Sequence, residues 1–313
     1  MWYLWCLIFC VLDPFVFYRR KASFVQQLGS NLNVNGLAIC VNRIFLTGIS
    51  SSTIEVYDAV SCRQLQTLSI NGMADPCDIA ASHSRPDLYV FEGLYQVLRL
   101  DLNGRIVTSW MLNGDQCALS VSRRNSIMVT YSDRLEEFDS VGTILRSIKL
   151  DKAICYASHS VSINSETSMV CHGSGRVSVR HLVCLVDSDG RIAKQCRESD
   201  GSVYQPLHLA VADHGCVLVT DILGRRVQIV DENLSQSYDL IDTRKQNGWP
   251  LAVSYDSLRG CVYISTLDGK VLVYRIRTRT GPQDECMNVH SGLIPGELTD
   301  VEYDFGYKLD DEE

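Results

Sequence analysis

Between Phe24 and Arg277 the apolar residues fall in short runs, each ended by a polar or glycine-bearing turn. No stretch there holds apolar positions at helical spacing for about ten residues, so the elements read as strands. The same order of runs then recurs. Each unit opens with a short strand of small and apolar residues: Leu37-Ala38-Ile39, Cys77-Asp78-Ile79, Cys117-Ala118-Leu119, Ser160-Val161-Ser162, Leu207-His208-Leu209-Ala210 and Leu251-Ala252-Val253. Aligned on Ile39, Ile79, Leu119, Val161, Leu209 and Val253, the units are 40, 40, 42, 48 and 44 residues apart. That period fits four strands of five to six residues with their turns.

Second strands, rich in β-branched residues, follow at 43–47, 88–91, 126–130, 168–171, 216–220 and 261–265. Third strands close on an apolar residue and Asp at Asp58, Asp101, Asp139, Asp187 and Asp231, while the sixth unit has Val273-Tyr274-Arg275. Asp101, Asp139 and Asp187 each begin a D-x-x-G turn. There the Asp side chain accepts backbone N–H groups just ahead, and Gly supplies a positive φ. The pattern predicts an all-β chain, a six-bladed β-propeller of four-stranded antiparallel blades. The sixth unit lacks an outer strand, and Phe24-Val25-Gln26-Gln27-Leu28 is placed to supply it, which would close the ring and remove a free edge. Domain bounds follow: an apolar N-terminal segment at 1–21, the propeller at 22–280, and an acidic tail at 281–313, expected to be disordered.

Composition changes this picture little. The 46% apolar content suits a globular chain, and 29 basic against 37 acidic residues give a net charge of −8, which disfavours wholesale nucleic-acid binding. Thirteen cysteines is a high and odd number, without a CxxC pair. Cys40, Cys77, Cys117, Cys184, Cys216 and Cys261 lie within apolar runs and are expected as buried thiols, which favours a reducing compartment. Residues 2–18 are nearly all apolar, interrupted by Asp13 and Pro14 and followed by Arg19, Arg20 and Lys21. Three readings stay open for them: a signal-anchor, a signal peptide, or a segment that does not insert. The expected location is cytoplasmic, with or without a membrane anchor through residues 2–18 that leaves the propeller on the cytoplasmic side; a secretory route stays open.

Residues Val217 to Asp231 carry a family resemblance. Their order of strand, Asp221, short turn, Arg226 and apolar strand resembles the NHL repeat, with Gly224 where that repeat usually has Asn. Pro206 to Ala212 is similar to the start of such a unit, and the likeness extends more loosely over 24–277. It implies a six-bladed propeller without the RING and B-box modules that accompany some members. Within that family it also implies three roles: protein binding, RNA binding, or hydrolase and lyase chemistry at a metal in the central channel.

Chemistry on the axis needs polar side chains at matching positions of the innermost strands. Those positions read Ala38, Asp78, Ala118, Ser160, His208 and Ala252. Asp78 and His208 are the only ligand-bearing members, and two ligands fall short of the three that a hydrolytic metal site keeps. The expectation is therefore no enzyme, no metal, no cofactor and no small-molecule substrate, but a scaffold that holds a protein partner on its loop rims. RNA is the alternative partner, through Arg225, Arg226, Arg244, Lys245 and Trp249. A metal-dependent hydrolase or lyase using Asp78 and His208 is the second alternative.

Overall fold

A computed structural model describes residues 21–277 except 94, 115, 174–181 and 197–204. Its strands form six four-stranded antiparallel sheets in strict sequence order, a six-bladed β-propeller. Blade one comprises Val34–Cys40, Arg43–Gly48, Thr53–Asp58 and Gln64–Ser69. Blade two comprises Pro76–Ala81, Asp87–Glu92, Gln96–Asp101 and Ile106–Met111. In blade three the strands are Gln116–Val121, Ile127–Tyr131, Arg134–Phe138 and Ile144–Lys149. Blade four has His159–Ser162, Ser168–His172, Leu182–Val186 and Ile192–Gln195. Blade five has Pro206–Val211, Val217–Asp221, Arg226–Val230 and Ser237–Asp242. Pro250–Asp256, Cys261–Thr266 and Val271–Arg277 make up blade six, and Lys21–Leu28 adds its outer strand.

That last pairing runs from Lys21 opposite Arg277 to Leu28 opposite Val271, so the two ends of the ring lock together through backbone hydrogen bonds. Leu28 is 2% exposed and lies with Val34, Leu37, Tyr263 and Val271 in the core between blades six and one. Tyr263 adds a hydrogen bond across that junction, donating to the Ala59 carbonyl at 3.2 Å.

The apolar core is a ring rather than a single centre: six clusters, one between each pair of neighbouring blades. This explains the sequence pattern. A second strand packs on both faces, so Ile127–Tyr131 and Val217–Asp221 are buried throughout, whereas the outer strand Gln64–Ser69 is almost wholly exposed. The D-x-x-G turns form as the residues dictate. Asp101 Oδ1 accepts from the N–H groups of Asn103 and Arg105, both at 2.9 Å, while Gly104 adopts φ +81. At Gly190, φ +82, a Cβ would lie 1.8 Å from the Lys149 carbonyl oxygen, so this turn also needs glycine for the approach of blade three.

Cys40, Cys184, Cys216 and Cys261 are buried free thiols and Cys77 is half-buried; the Cys117 side chain lies outside the described residues. Burial pushes the Cys40 thiol up to about 11, with Asp87 adding to the effect, so it is an inert part of the core. The membrane-anchored reading is corrected for the described residues, which contain no helix long and apolar enough to cross a membrane. Residues 1–20 and the acidic tail lie outside the described residues.

Candidate functional site

Strand pairing, rather than the apolar pattern, defines the equivalent positions around the axis. Glu55, Leu98, Glu136, Cys184 and Gln228 stand equally far before the Asp that closes each third strand. Their second-strand partners are Leu46, Val90, Val129, Val170 and Val219. Opposite those lie Leu37, Ile79, Leu119, Ser160 and Leu209 on the first strands. In blade six Ile264 pairs with Val253. The preceding residues, level with one another on the channel, are Gly36, Asp78, Ala118, His159, His208 and Ala252. Two expected positions are thereby corrected: Gly36 replaces Ala38 in blade one, and His159 replaces Ser160 in blade four.

The reason in blade four lies in one residue. His159 lies opposite Cys171 and Ser160 opposite Val170, and the Gly173 N–H reaches back to the Tyr156 carbonyl as Gly93 N–H does to Asp75 in blade two. His159 thus takes the place that Asp78 holds, while Ser160 stands where Leu37, Ile79, Leu119, Leu209 and Val253 carry an apolar side chain.

Asp78, His159 and His208 converge there from blades two, four and five, with their ligand atoms all within 4.8 Å of one another. Nε2 of His159 lies 3.9 Å from Asp78 Oδ2, and Nε2 of His208 lies 3.9 Å from Asp78 Oδ1. The imidazoles stack at 3.8 Å between centroids, tilted by 37°. The Asp78 carboxylate is held by backbone alone: Oδ1 accepts from Ile79 N–H at 2.8 Å and Oδ2 from Leu119 N–H at 2.9 Å. Each oxygen keeps lone pairs for a further partner.

His159 is 2% exposed, and no side chain lies within hydrogen-bond distance of its ring nitrogens, which have only the Leu119 backbone beside them; Nδ1 of His208 lacks a partner. Burial first, and neighbouring His208 second, hold His159 well below the usual imidazole range, with the Leu119 backbone acting in the opposite direction. His159 is therefore neutral at pH 7 and offers a lone pair. Two neutral imidazoles and a carboxylate form the donor set of many zinc and non-haem iron sites. An ion about 2.1 Å from each ligand atom at tetrahedral angles sets neighbouring ligand atoms about 3.4 Å apart. The two histidine–carboxylate separations, 3.9 Å, lie about 0.5 Å beyond that, and to share an ion the stacked imidazoles would have to spread apart.

His159 and His208 line a cavity of about 450 Å³ bounded by the turns joining first and second strands. Its volume arises from small residues one step nearer the turns: Ala38, Ala80, Ser120, Ala210 and Ser254 all line it, with Val161 the larger exception.

This cluster overturns the non-catalytic scaffold and the absence of enzymatic potential. The axis carries a third ligand, and the set has the composition of a catalytic metal centre. A role confined to holding a protein or RNA partner is corrected with it. The residues nominated for RNA are spread over blade five and the start of blade six, and the three arginines each have partners within the protein. Arg226 pairs with fully buried Asp221 at 3.0 Å and with Asp239 at 2.8 Å. Arg244 pairs with Asp242 at 2.9 Å. The Arg225 guanidinium sits 5.0 Å from the centre of the Trp249 ring, and its Nε donates to the Gly248 carbonyl. Lys245 lies in the short 3₁₀ turn Arg244–Gln246.

No family model matches this chain, and no curated protein matches it in sequence. Among solved structures it is similar to that of a streptogramin B lyase, with 12% identity and a TM-score of 0.60 over 82% of this chain and 98% of the lyase chain. At that identity the two share a fold.

Proposed function

We propose that this protein is a metal-dependent hydrolase or lyase whose reaction centre is the Asp78–His159–His208 cluster at the floor of the axial cavity. One observation carries the reading: three ligand-bearing side chains from separate blades meet on the axis, and no side chain lies within hydrogen-bond distance of either nitrogen of buried His159. Leaving such a group unsatisfied costs about 1–3 kcal/mol, a cost that a fold sheds unless another partner takes up the lone pair. A divalent cation held there would polarise a substrate oxygen or acidify a bound water. The protein's own part is to supply the Asp78 carboxyl oxygens, two imidazole nitrogens, and a floor closed to bulk water on the His159 side. The likeness to a streptogramin B lyase adds a ring of the same architecture with lyase chemistry, and it is the cluster that carries the argument. A kinship of the repeats with the NHL type is part of the same proposal, supported by the Asp221–Arg226 pair across the turn of blade five.

Isothermal titration of chelator-stripped protein with Zn²⁺, Mn²⁺ and Mg²⁺ tests this reading. One equivalent of at least one ion should bind to the wild type and fail to bind to Asp78→Asn and His208→Ala. Absence of binding by all three ions would overturn it.

A further inference from the structure

The walls above the cluster carry information about the substrate. Over the two histidines the wall is made by small and apolar residues, Ala38, Ala80, Val161 and Ala210, which form an apolar collar. Within it stands one polar group without a partner: the Ser120 hydroxyl, 8% exposed and lining the cavity. A buried hydroxyl left unpaired costs free energy, and a ligand atom in the cavity would satisfy it.

The rim differs in character. Arg259 is fixed, donating to Asp256 and to Asn42, both at 2.7 Å. His83 is anchored through Nε2 to the Val121 carbonyl at 3.3 Å. Arg85 also lines the cavity, is exposed, and enters no ion pair among the described residues. The nearby carboxylate of Asp87 is already committed to Arg99 at 2.8 Å. A free guanidinium at the mouth of an apolar cavity favours a carboxylate, sulfonate or phosphate on whatever enters.

We propose that the cavity binds a compact organic anion, its apolar body within the collar, its acidic group at Arg85 and a polar atom at Ser120. At about 450 Å³ the space suits a single small molecule. The inference rests on the proposed function only in naming the floor as the reacting end; anion binding itself does not require the cation.

Two fluorescent probes of nearly equal shape test it on the full chain: 1-anilinonaphthalene-8-sulfonate and its uncharged analogue N-phenyl-1-naphthylamine. Both should bind to the chelator-treated wild type at one equivalent. Ser120→Leu, which fills the cavity, should abolish both. Arg85→Glu should weaken the sulfonate by roughly fivefold or more and leave the neutral probe within about twofold. Far-ultraviolet circular dichroism and thermal unfolding should match the wild type in both variants; for a Ser120→Leu protein that unfolds, Ala210→Leu fills the same cavity from the blade-five wall. Binding unaffected by the filling substitution, or a sulfonate affinity unchanged in Arg85→Glu, overturns the proposal. Asp78→Asn separates the two readings: it removes cation binding and should leave both probes bound. A wild type that takes the probes but no cation would refute the metal centre alone.

Discussion

Replacing His159 with leucine should stabilise the metal-free protein and remove its response to metal, so that the order of stability inverts when a cation is added. The side chain is 2% exposed, with a ring donor and acceptor that no side chain satisfies. Each such group costs about 1–3 kcal/mol, and leucine of similar volume removes both while filling the same space. The expected gain in chelator is about 2 kcal/mol, or roughly 4–8 °C in Tm for a ring of this size. With zinc at a thousand times its Kd, the wild type gains about 4 kcal/mol by mass action and the variant nothing. Wild type should therefore trail in EDTA by about 2 kcal/mol and lead in zinc by a similar margin. Thermal unfolding of both proteins under both conditions, followed by circular dichroism, reads this directly. A variant less stable than wild type in EDTA, together with a wild type indifferent to zinc, would show that His159 is a packing residue and refute the reasoning.

Leu28→Ala should cost roughly 2–4 kcal/mol in denaturant unfolding, because that side chain seals blade six to blade one; a loss below about 0.5 kcal/mol would contradict closure by the N-terminal strand. Acid should destabilise the protein through His159, whose folded-state pKa is depressed. The unfolded chain then binds the extra proton first, so this contribution is intact above about 6.5 and falls away as pH drops toward the folded value, by at most about 1.4 kcal/mol per pH unit. The wild type should lose more stability than His159→Leu between pH 7 and 5 in chelator, and parallel curves would contradict the assignment. Arg226→Ala should cost about 3–5 kcal/mol by removing the guanidinium that balances the fully buried Asp221 carboxylate, which the N–H groups of Gln205 and Gly224 alone do not neutralise; a fold of unchanged stability would show the pair to be dispensable.

The ring was readable from the chain because its signals are local and repeated. An apolar run, an Asp and a glycine turn each specify a few backbone hydrogen bonds, and the third-strand Asp of blades one to five marks every period. Asp78 and His208 stood out for the same reason: a polar residue within an otherwise small or apolar strand. His159 did not, because alignment on apolar residues matched Val161 to Ile79 and put Ser160 on the axis. The place of Ser160 opposite Val170 is a property of strand pairing, visible only once Cys171 is set opposite His159. Counting back from Asp187 through the paired strands would have found it. Charge misled in a related way. Arg226 and Arg244 look like free cations along the chain, yet Asp239 on the neighbouring strand neutralises the first, and Asp242 just before it neutralises the second. Distances of three ångströms across a sheet are invisible to a reading of adjacent residues.

Anomalous diffraction from a crystal soaked in zinc chloride addresses the central claim most directly. One strong peak should appear on the channel axis, about 2.1 Å from Nε2 of His159, Nε2 of His208 and a carboxylate oxygen of Asp78, with density for a fourth ligand on the cavity side. A channel without a peak, with zinc bound only at surface histidines such as His83 or His214, would contradict it.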